Sequence, residues 1–446
     1  MTAKKQPAST PRKGARRWLK PVALTLGATL VAGCGAGYLY LRHLDANIQH
    51  VPLSAGNPPP PPGPTDSTGH SAMNILIIGT DSRAGLNGAY GDRDNTGTGN
   101  NDVDIVLHVY PDRKSAVALS LPRDTLIDLP RCTDPKTGTV YPAHKHRPLN
   151  EALGRGGPGC VSDTVQSITR LKIDHFALVN FQGVKDLTDA VNGVEVNLCT
   201  PIHDKESHLD LPAGKSTLTG EQGLAFVRTR MAVQDGSSLG RFSMQRAFLS
   251  ALLRKVTSAG TMLDPTTAFP VIETATKSIT VDDGIAGTTR LVGLAGELKN
   301  IKPADVAFVQ PRMRYTPDDP NPEFQQKAAF VQPDADQLFN LILADKSLTG
   351  GPDQTSDPIP PTSPTPSTSA LSPTNDAPTT GAATDTASPS ATDTATDTAS
   401  DTSSDAPSAS ASTGADPGAT PGTVPTTVHT GDEPGCVKGW TGSLDQ

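Results

Sequence analysis

An uncharged apolar stretch near the N-terminus, residues 21–41, decides the compartment in which the rest of this chain folds. As a helix that rises about 1.5 Å per residue, it would span about 30 Å, the thickness of one bilayer hydrocarbon core. Seven Lys and Arg residues precede it within residues 1–20, and only Arg42 directly follows it. Because positive flanks stay in the cytoplasm, we predict a single-pass protein of the cell membrane whose folded body is extracellular.

Three kinds of export signal fit this stretch. An uncleaved signal anchor suits its full length and the tyrosines near its end, Tyr38 and Tyr40, which favour a membrane interface. A lipoprotein signal suits residues 31–34, which match a lipobox and would leave Cys34 acylated, although the sequence stays apolar after this cysteine. A twin-arginine match at residues 16–20 is weak. All three place the body beyond the membrane, and the signal anchor is our prediction.

Composition divides the chain after the anchor into one folded part and two polar parts. Residues 351–435 are loose repeats of Thr, Ser, Ala, Pro and Asp, with no Lys or Arg, and such a segment cannot bury a core. Five consecutive prolines at residues 58–62 indicate a stiff, extended spacer. The predicted organisation is a basic cytoplasmic N-terminus (1–20), a transmembrane signal anchor (21–41), a Pro-rich extracellular spacer (42–71), a folded domain (72–346) and a disordered tail with a terminal cysteine (347–446).

The distribution of charge disfavours a nucleic-acid-binding function built on a basic face. The net charge of −8 divides into −11 in residues 351–435, +7 in the first twenty residues and −4 in the rest. The folded part therefore has no excess of positive charge from which to build a face for nucleic acid.

The five cysteines fit an exported protein. Besides Cys34 the chain has four, all beyond the membrane, where disulfides persist. A zinc site is disfavoured because there is no CxxC motif. Four cysteines allow three pairings. We favour Cys132–Cys160, which closes a short loop-rich segment, and by elimination Cys199–Cys436.

Apolar runs of strand length alternate with segments of helical periodicity along the folded part. Residues 74–79 form a short apolar run ending in glycine, typical of a buried strand, whereas residues 243–256 carry apolar side chains at helical spacing. Further strands are predicted at 105–109, 116–121, 176–181, 194–198 and 304–310, further helices at 163–170, 184–191 and 334–343, and a helix or turn at 220–227. The alternation predicts an α/β domain with a three-layer α/β/α arrangement around a central mixed sheet.

Acidic and arginine side chains lie at the ends of these predicted elements. They are Asp81 and Arg83 after the first strand, Asp102 and Asp104 before the second, Arg123 and Asp124 after the third, and Arg228 and Arg230 after a helix, with Arg241 and Gln245 close behind. Mg²⁺ takes one or two carboxylates and completes its shell with water and phosphate oxygens. Guanidinium groups bind phosphate oxygens in pairs. Each cluster alone is typical of a solvated turn, but the whole set indicates a site for a metal-bound pyrophosphate.

In this order the motifs resemble the LytR-CpsA-Psr (LCP) family of cell-envelope enzymes. The resemblance is strong over residues 73–256 and looser over residues 257–346. Its motifs are NILIIGTDSR (74–83), SLPRD (120–124), NEA and GGP (150–152 and 156–158), IDHF (173–176), NGVEV (192–196) and GEQGLAFVRTR (220–230), followed by Gly240, Arg241 and Gln245.

The resemblance implies that the folded domain is an LCP-type catalytic domain. Its implied activity is a phosphotransfer that attaches a glycopolymer from a polyprenyl-pyrophosphate carrier to peptidoglycan during cell wall assembly, with Mg²⁺ or Mn²⁺ as cofactor. The implied partners are this lipid-linked donor, the peptidoglycan acceptor and the membrane. The implied roles are metal binding by Asp81 and Asp102, pyrophosphate binding by Arg123, Arg228, Arg230 and Arg241, assistance by Gln245, and substrate contact by Asp124.

Two of these assignments involve a choice between residues. Asp102 is preferred to Asp104 as metal ligand because it keeps the family's spacing to Arg123. The family usually has an arginine where this chain has Asn100, so Arg83 or Arg93 would contact the same phosphate. Asp81 and Asp124 are the candidates for general base.

The isoprenoid chain of the carrier requires an apolar groove. Seven residues are candidates either to line one or to pack as ordinary core: Val165, Ile168, Phe176, Leu187, Val191, Phe248 and Leu252.

Two other functions remain open. The first is an exported polyprenyl-pyrophosphate hydrolase, in which water attacks at the same site. The second is a non-catalytic cell-wall or regulatory protein. A DNA-binding regulator is excluded by export and by the lack of a basic recognition helix.

Overall fold

A computed structural model describes the protein over residues 15–67, 69–82, 99–229, 241–258, 264–348, 428–430 and 436. The described helices are α1 (Ala15–Asn47), α2 (Ala152–Thr169), α3 (Phe181–Ala190), α4 (Gly220–Arg228), α5 (Arg241–Thr257), α6 (Pro265–Ser278), α7 (Thr288–Leu298) and α8 (Asp334–Leu343). The described strands are β1 (Gln49–Val51), β2 (Met73–Thr80), β3 (Asn101–Val109), β4 (Ala116–Leu121), β5 (Leu126–Leu129), β6 (Cys132–Thr133), β7 (Val140–Tyr141), β8 (His144–Pro148), β9 (His175–Val179), β10 (Val194–Leu198), β11 (Ile202–Asp204), β12 (Leu209–Leu211), β13 (Gly214–Leu218), β14 (Ile279–Asp282), β15 (Val306–Val309), β16 (Met313–Tyr315), β17 (Ala328–Phe330) and β18 (His429–Thr430). Most of the predicted disordered tail lies outside these ranges.

The centre of the domain is a mixed sheet with the strand order β1-β14-β9-β2-β3-β4-β15-β18. Among its middle strands, β3 pairs antiparallel with both β2 and β4. They are flanked by β9, parallel to β2, and by β15, parallel to β4. The strands predicted at residues 105–109, 116–121 and 304–310 are thus confirmed. The one predicted at residues 194–198 is also a strand, β10, but it pairs with β13 in a separate two-stranded ribbon.

Helices cover both faces of this sheet. Because side chains alternate along a strand, Leu76 and Val106 pack with α2 and α8 in one buried cluster. Their neighbours Ile75 and Ile105 point the other way and pack with α5 and α7 in a second cluster. The predicted three-layer α/β/α architecture is confirmed.

The first part of the predicted spacer, residues 42–71, is built into the domain. α1 continues to Asn47, and its residue Leu44 is buried. β1 (Gln49–Val51) then pairs in parallel with β14 at the edge of the central sheet. The prediction of an extended spacer is therefore wrong for residues 42–57. This segment is held by partners that are distant in sequence, the strand β14 and the side chain of Asp163. Local composition does not reveal such partners.

Residues 54–57 are fastened to α2 by one buried carboxylate. Oδ2 of Asp163 accepts hydrogen bonds from the backbone N–H of Ala55 (2.9 Å), from Ser54 Oγ (3.2 Å) and from Asn57 Nδ2 (2.8 Å). Burial raises the pKa of Asp163, and these hydrogen bonds act in the opposite direction. The carboxylate therefore satisfies a backbone donor that would otherwise be buried without a partner.

We expect Asp163→Ala to lower the free energy of unfolding by about 1–3 kcal/mol, because a buried N–H without an acceptor costs about that much. Denaturant unfolding measures this loss, and hydrogen exchange should show lost protection at Ala55. Asp163→Asn keeps one acceptor oxygen and should lose less. Equal unfolding curves for Asp163→Ala and the wild type would show that this contact is dispensable.

Both predicted disulfides are present. Cys132 and Cys160 are joined with their Cα atoms 5.6 Å apart, and Cys199 and Cys436 with theirs 4.8 Å apart. In addition, β18 (His429–Thr430) pairs antiparallel with β15. The C-terminal region, predicted as a disordered tail joined to the domain through Cys436, therefore contacts the domain at this disulfide and also at β18.

Candidate active site

Asp81 directly follows β2, beside the start of β3. The pairing of Thr80 with Asn101 brings the two strand ends together. The backbone N–H of Asn100 donates to Asp81 Oδ1 (2.7 Å), and the N–H of Asp81 donates to the carbonyl of Asn100 (3.2 Å). Gly99 has a φ of +70°, and a Cβ there would lie 2.6 Å from Asp81 Oδ1, so this approach requires glycine. The carboxylate is thereby held at the end of β2.

Arg123 lies between two carboxylates. The antiparallel pairing of β3 with β4 brings Arg123, two residues after β4, beside Asp102, with which its Nη1 forms an ion pair. Its Nε lies 3.3 Å from Asp124 Oδ2, and the other oxygen of Asp124 lies 2.9 Å from Lys327 Nζ. Burial lowers the pKa of the Arg123 guanidinium, but the charges of Asp102 and Asp124 outweigh burial and raise it. These pairs hold a permanently charged group in one orientation.

Asp104, two residues after Asp102 on β3, is a buried acid. Both Asp102 and Asp104 lie within β3, which begins at Asn101, so the prediction that they precede the strand is corrected. Asp104 Oδ2 accepts a hydrogen bond from Asn101 Nδ2 (2.6 Å), whereas its buried Oδ1 has no hydrogen-bond partner. Burial raises the pKa of Asp104 to about 7; the Asn101 hydrogen bond lowers it and the charge of Asp102 raises it further.

Asp102, Asp104 and Arg123 line one small pocket, whereas Asp81 and Asp124 are not among its lining residues. Strands β3 and β4 and the turn after β4 form one side, and the first turns of α5 form the other. The residues that line it are Asp102, Val103, Asp104, Ser120, Leu121, Pro122, Arg123, Phe242, Gln245 and Gln310. Polar and charged groups far apart in sequence therefore converge on one cavity.

The remaining predicted arginines are placed differently. Arg228 ends α4 and stacks on Phe181, with its Cζ 5.0 Å from the ring centroid, and it is not among the residues lining the pocket. Arg83, Arg93 and Arg230 lie outside the described residues, as does the side chain of Arg241, although its backbone begins α5. Arg123 is the one arginine of the four that the described residues place at the pocket, so the convergence of all four stays a prediction.

The apolar residues considered for an isoprenoid groove pack as core. Phe176 and Val165 are buried in the cluster beneath α2 and α8, with Ile168 against it. Val191 and Phe248 belong to a different cluster, between β10, α4 and α5, with Leu252 against it. Six of the seven candidates thus fall into two separate clusters, and the alternative interpretation as core is confirmed for them.

Comparison with known proteins identifies the family. The LytR_cpsA_psr family model matches residues 48–338. The chain belongs to the LytR-CpsA-Psr family. Among LCP relatives, the probable cell wall biosynthesis protein LcpB of Corynebacterium glutamicum is 35% identical over 264 residues, which cover 58% of each chain. A polyisoprenyl-teichoic acid–peptidoglycan teichoic acid transferase TagU of Halalkalibacterium halodurans is 31% identical over 260 residues, covering 56% of this chain and 77% of that one.

The match covers only part of the curated relatives but nearly all of the solved structures. The match spans about half the length of the C. glutamicum relatives, 58% for LcpB and 49% for LcpA. Among solved structures, an LCP enzyme from Actinomyces oris is 17% identical with a TM-score of 0.46, covering 66% of this chain and 96% of that one. Bacillus subtilis TagV is 20% identical with a TM-score of 0.46, covering 62% of this chain and 98% of that one.

Three residues at or near the pocket belong to none of the motifs. Lys327 does not line the pocket but pairs with Asp124, the neighbour of Arg123, from a loop more than two hundred residues away. Phe242 and Gln310 line the pocket; Phe242 lies one residue after Arg241, and Gln310 directly follows β15. Position at an element end was the signal that could have found these two residues.

The donor set of the pocket fits Mg²⁺ or Mn²⁺. Asp102 and Asp104 line the pocket together, and the buried Oδ1 of Asp104 has no hydrogen-bond partner. No group of three or more His, Cys, Asp or Glu side chains that could hold a metal occurs within the described ranges. Mg²⁺ does not need one, because it is commonly bound by one or two carboxylates together with substrate phosphates. Two carboxylates beside an arginine fit such a metal bound with a phosphate ligand.

We expect Asp104→Asn to change how the stability of the LCP domain depends on pH. The pKa of Asp104 is raised on folding, so its contribution is greatest at low pH and is lost as pH rises towards 7. Between pH 5 and 7 the wild type should lose about 2 kcal/mol of unfolding free energy through this group. The variant should lack this loss. Denaturant unfolding with a chelator at both pH values measures the difference, and parallel pH curves for the two proteins would contradict it.

Proposed function

We propose that this protein is a membrane-anchored phosphotransferase that attaches a glycopolymer from a polyprenyl-pyrophosphate carrier to peptidoglycan. The observation that most strongly supports this proposal is Arg123, held by Asp102 and Asp124 at a pocket that Gln245 also lines. A fixed guanidinium next to two carboxylates, Asp102 and Asp104, suits a pyrophosphate with a divalent cation. Relatives named as teichoic acid transferases agree with this chemistry.

The reaction makes one phosphodiester bond and breaks one bond of the pyrophosphate. A hydroxyl oxygen of the acceptor attacks the phosphorus that bears the glycopolymer, polyprenyl phosphate leaves with the bonding electrons, and the hydroxyl proton is lost. The protein's main contribution to such a step is to offset the developing negative charge. The Arg123 guanidinium is already held in one orientation by Asp102 and Asp124. Less free energy is therefore spent on moving this positive charge into place during the reaction.

The surrounding residues have supporting roles. Asp124 pairs through one oxygen with Arg123 and through the other with Lys327, so we assign it as a positioning residue for the guanidinium. Asp81 and Asp102 would hold Mg²⁺ or Mn²⁺, with Asp104 adjacent. When bound, the cation would supply further positive charge at the pyrophosphate oxygens. Asp81 is also the candidate to accept the proton of the attacking hydroxyl, as an alternative to its role in metal binding.

The proposed location is the outer face of the cell membrane. Leu24–Asn47 is long and apolar enough to cross a bilayer, and residues 24–39 of it are exposed. The basic residues before it favour a cytoplasmic N-terminus. An anchored domain on the outer face has access to both a lipid-linked donor and the cell wall.

Reconstitution tests the proposal against hydrolysis. The purified full-length protein is incubated in lipid nanodiscs with Mg²⁺ and a radiolabelled polyprenyl-pyrophosphate glycan, with and without peptidoglycan. Transfer predicts that release of polyprenyl phosphate depends on peptidoglycan and that label enters the acceptor. Equal release without acceptor would instead establish the hydrolase. No release under either condition would favour a non-catalytic wall protein.

A further inference from the structure

Helix α6 runs beside the membrane anchor at the end of the anchor's apolar stretch. The rings of Tyr40 on α1 and Phe269 on α6 meet edge to face, with their centroids 5.7 Å apart. One turn further along both helices, His43 Nε2 lies 3.4 Å from Glu273 Oε1. Because later residues of α1 meet later residues of α6, the two helices run in the same direction, and the start of α6 lies alongside the apolar part of α1.

This arrangement leaves apolar side chains exposed. Phe269 is 54% exposed and Ile272 is 43% exposed, although both are large and apolar. Between the two helices lies an open groove. Its lining residues are Ala36, Gly37, Tyr40, Phe269, Pro270, Glu273, Thr274 and Lys277. An apolar groove and adjoining apolar side chains on a folded domain mark a contact surface.

The order of side chains along the two helices indicates how deep this surface lies in the membrane. Tyr40 is the last residue but one of the apolar stretch, so Phe269 beside it lies at the level of the membrane interface. Aromatic rings are enriched at this level. One to two turns onward along α6, Lys277 pairs with Glu273 (2.7 Å). The surface therefore changes from apolar to charged where a bilayer meets water.

We propose that the first turns of α6 sit in the outer interfacial layer of the bilayer, with Phe269 and Ile272 among the lipid chains and acyl chains filling the groove against α1. The occupant is the membrane itself, because the apolar surface is continuous with the helix proposed to span it. The inference rests on the membrane anchoring in the proposed function. Its consequence is that the domain touches the bilayer at a second place and has a fixed orientation on it, rather than hanging from a flexible spacer.

The test measures the depth of single labelled positions in the full-length protein. In a Cys34→Ser background, an environment-sensitive fluorophore is attached at Phe269→Cys or, separately, at Ile272→Cys. The matched controls are Val140→Cys and Tyr315→Cys, at residues that are likewise apolar and exposed but distant in sequence from α1 and α6. Each protein is placed in phosphatidylcholine nanodiscs, with or without lipids that carry a nitroxide quencher just below the headgroup. Peptide mapping confirms that both native disulfides remain intact.

We expect labels at Phe269 and Ile272 to emit at shorter wavelength and to lose most of their fluorescence with the quencher, while labels at Val140 and Tyr315 are unchanged. Equal quenching at all four positions, or none at Phe269 and Ile272 in protein that co-migrates with the nanodiscs, would overturn this inference alone. Failure to co-migrate would overturn the anchoring as well. Quenching that appears only after polyprenyl phosphate is added would assign the groove to the carrier and likewise contradict the bilayer assignment.

Discussion

Replacing Arg123 with alanine is expected to slow phosphoryl transfer by about 10- to 150-fold, since a charge-assisted bond from a guanidinium to phosphate contributes about 1.5–3 kcal/mol. The substitution also removes one partner of Asp102 and one partner of Asp124, which leaves more negative charge where an anionic substrate must bind. The measurement is kcat/KM for acceptor-dependent release of polyprenyl phosphate. Binding of the donor should weaken in parallel.

Two further variants make this result specific. Arg123→Lys keeps the charge but loses the planar fork, so it should remain clearly impaired. Arg290→Ala removes an exposed arginine of α7 whose Nη1 bonds the carbonyl of Asp283 (3.0 Å), and it should retain wild-type kinetics. Full activity of Arg123→Ala in folded protein would end the assignment of this pocket as the reaction site.

Removing the disulfide between Cys132 and Cys160 is expected to lower the free energy of unfolding by about 3–4 kcal/mol. The bond closes a loop with a sequence separation of 28, and chain entropy gives about this value for such a loop. Both sulfur-bearing side chains are fully buried in the main core cluster. A Cβ on Gly156 would lie 2.9 Å from Cys132 Cβ and 3.0 Å from Cys160 Cβ, so the bond is closely packed.

Denaturant unfolding of the Cys132→Ala, Cys160→Ala double variant measures this loss. The control is Cys34→Ser, because Cys34 is a free and exposed thiol on α1 and its replacement should not change unfolding of the domain. Unchanged stability of the double variant, or peptide mapping that finds both thiols free in the wild type, would contradict the prediction.

The central elements of the fold were predictable because their patterns are local. β2 and β4 are apolar runs of six to eight residues, and such runs are interpretable without knowing their neighbours. β1 and β14 have three and four residues without a distinctive pattern, and only their pairing with each other and with β9 defines them. In α6, Pro270 and threonines in the first turn conceal the helix.

In the candidate site, too, contacts between neighbouring strands were predictable and contacts from distant parts of the chain were not. Asp102 and Arg123 come together because β3 and β4 are neighbours in an antiparallel hairpin, and that pairing follows from two adjacent apolar runs. Lys327 reaches Asp124 from a separate part of the chain. Asp163 looks like an ordinary polar position of a helix until residues 54–57 fold against it. Contacts of this kind depend on tertiary packing, which local sequence does not specify.

The most direct test of the central claim is a structure of the protein with a short-chain polyprenyl pyrophosphate and Mn²⁺, whose anomalous scattering locates the cation. We predict that the pyrophosphate lies against the Arg123 guanidinium in the pocket lined by Gln245, with Mn²⁺ bound to carboxylates among Asp81, Asp102 and Asp104. A pyrophosphate bound elsewhere in the domain, with Arg123 still paired only to Asp102 and Asp124, would contradict the account.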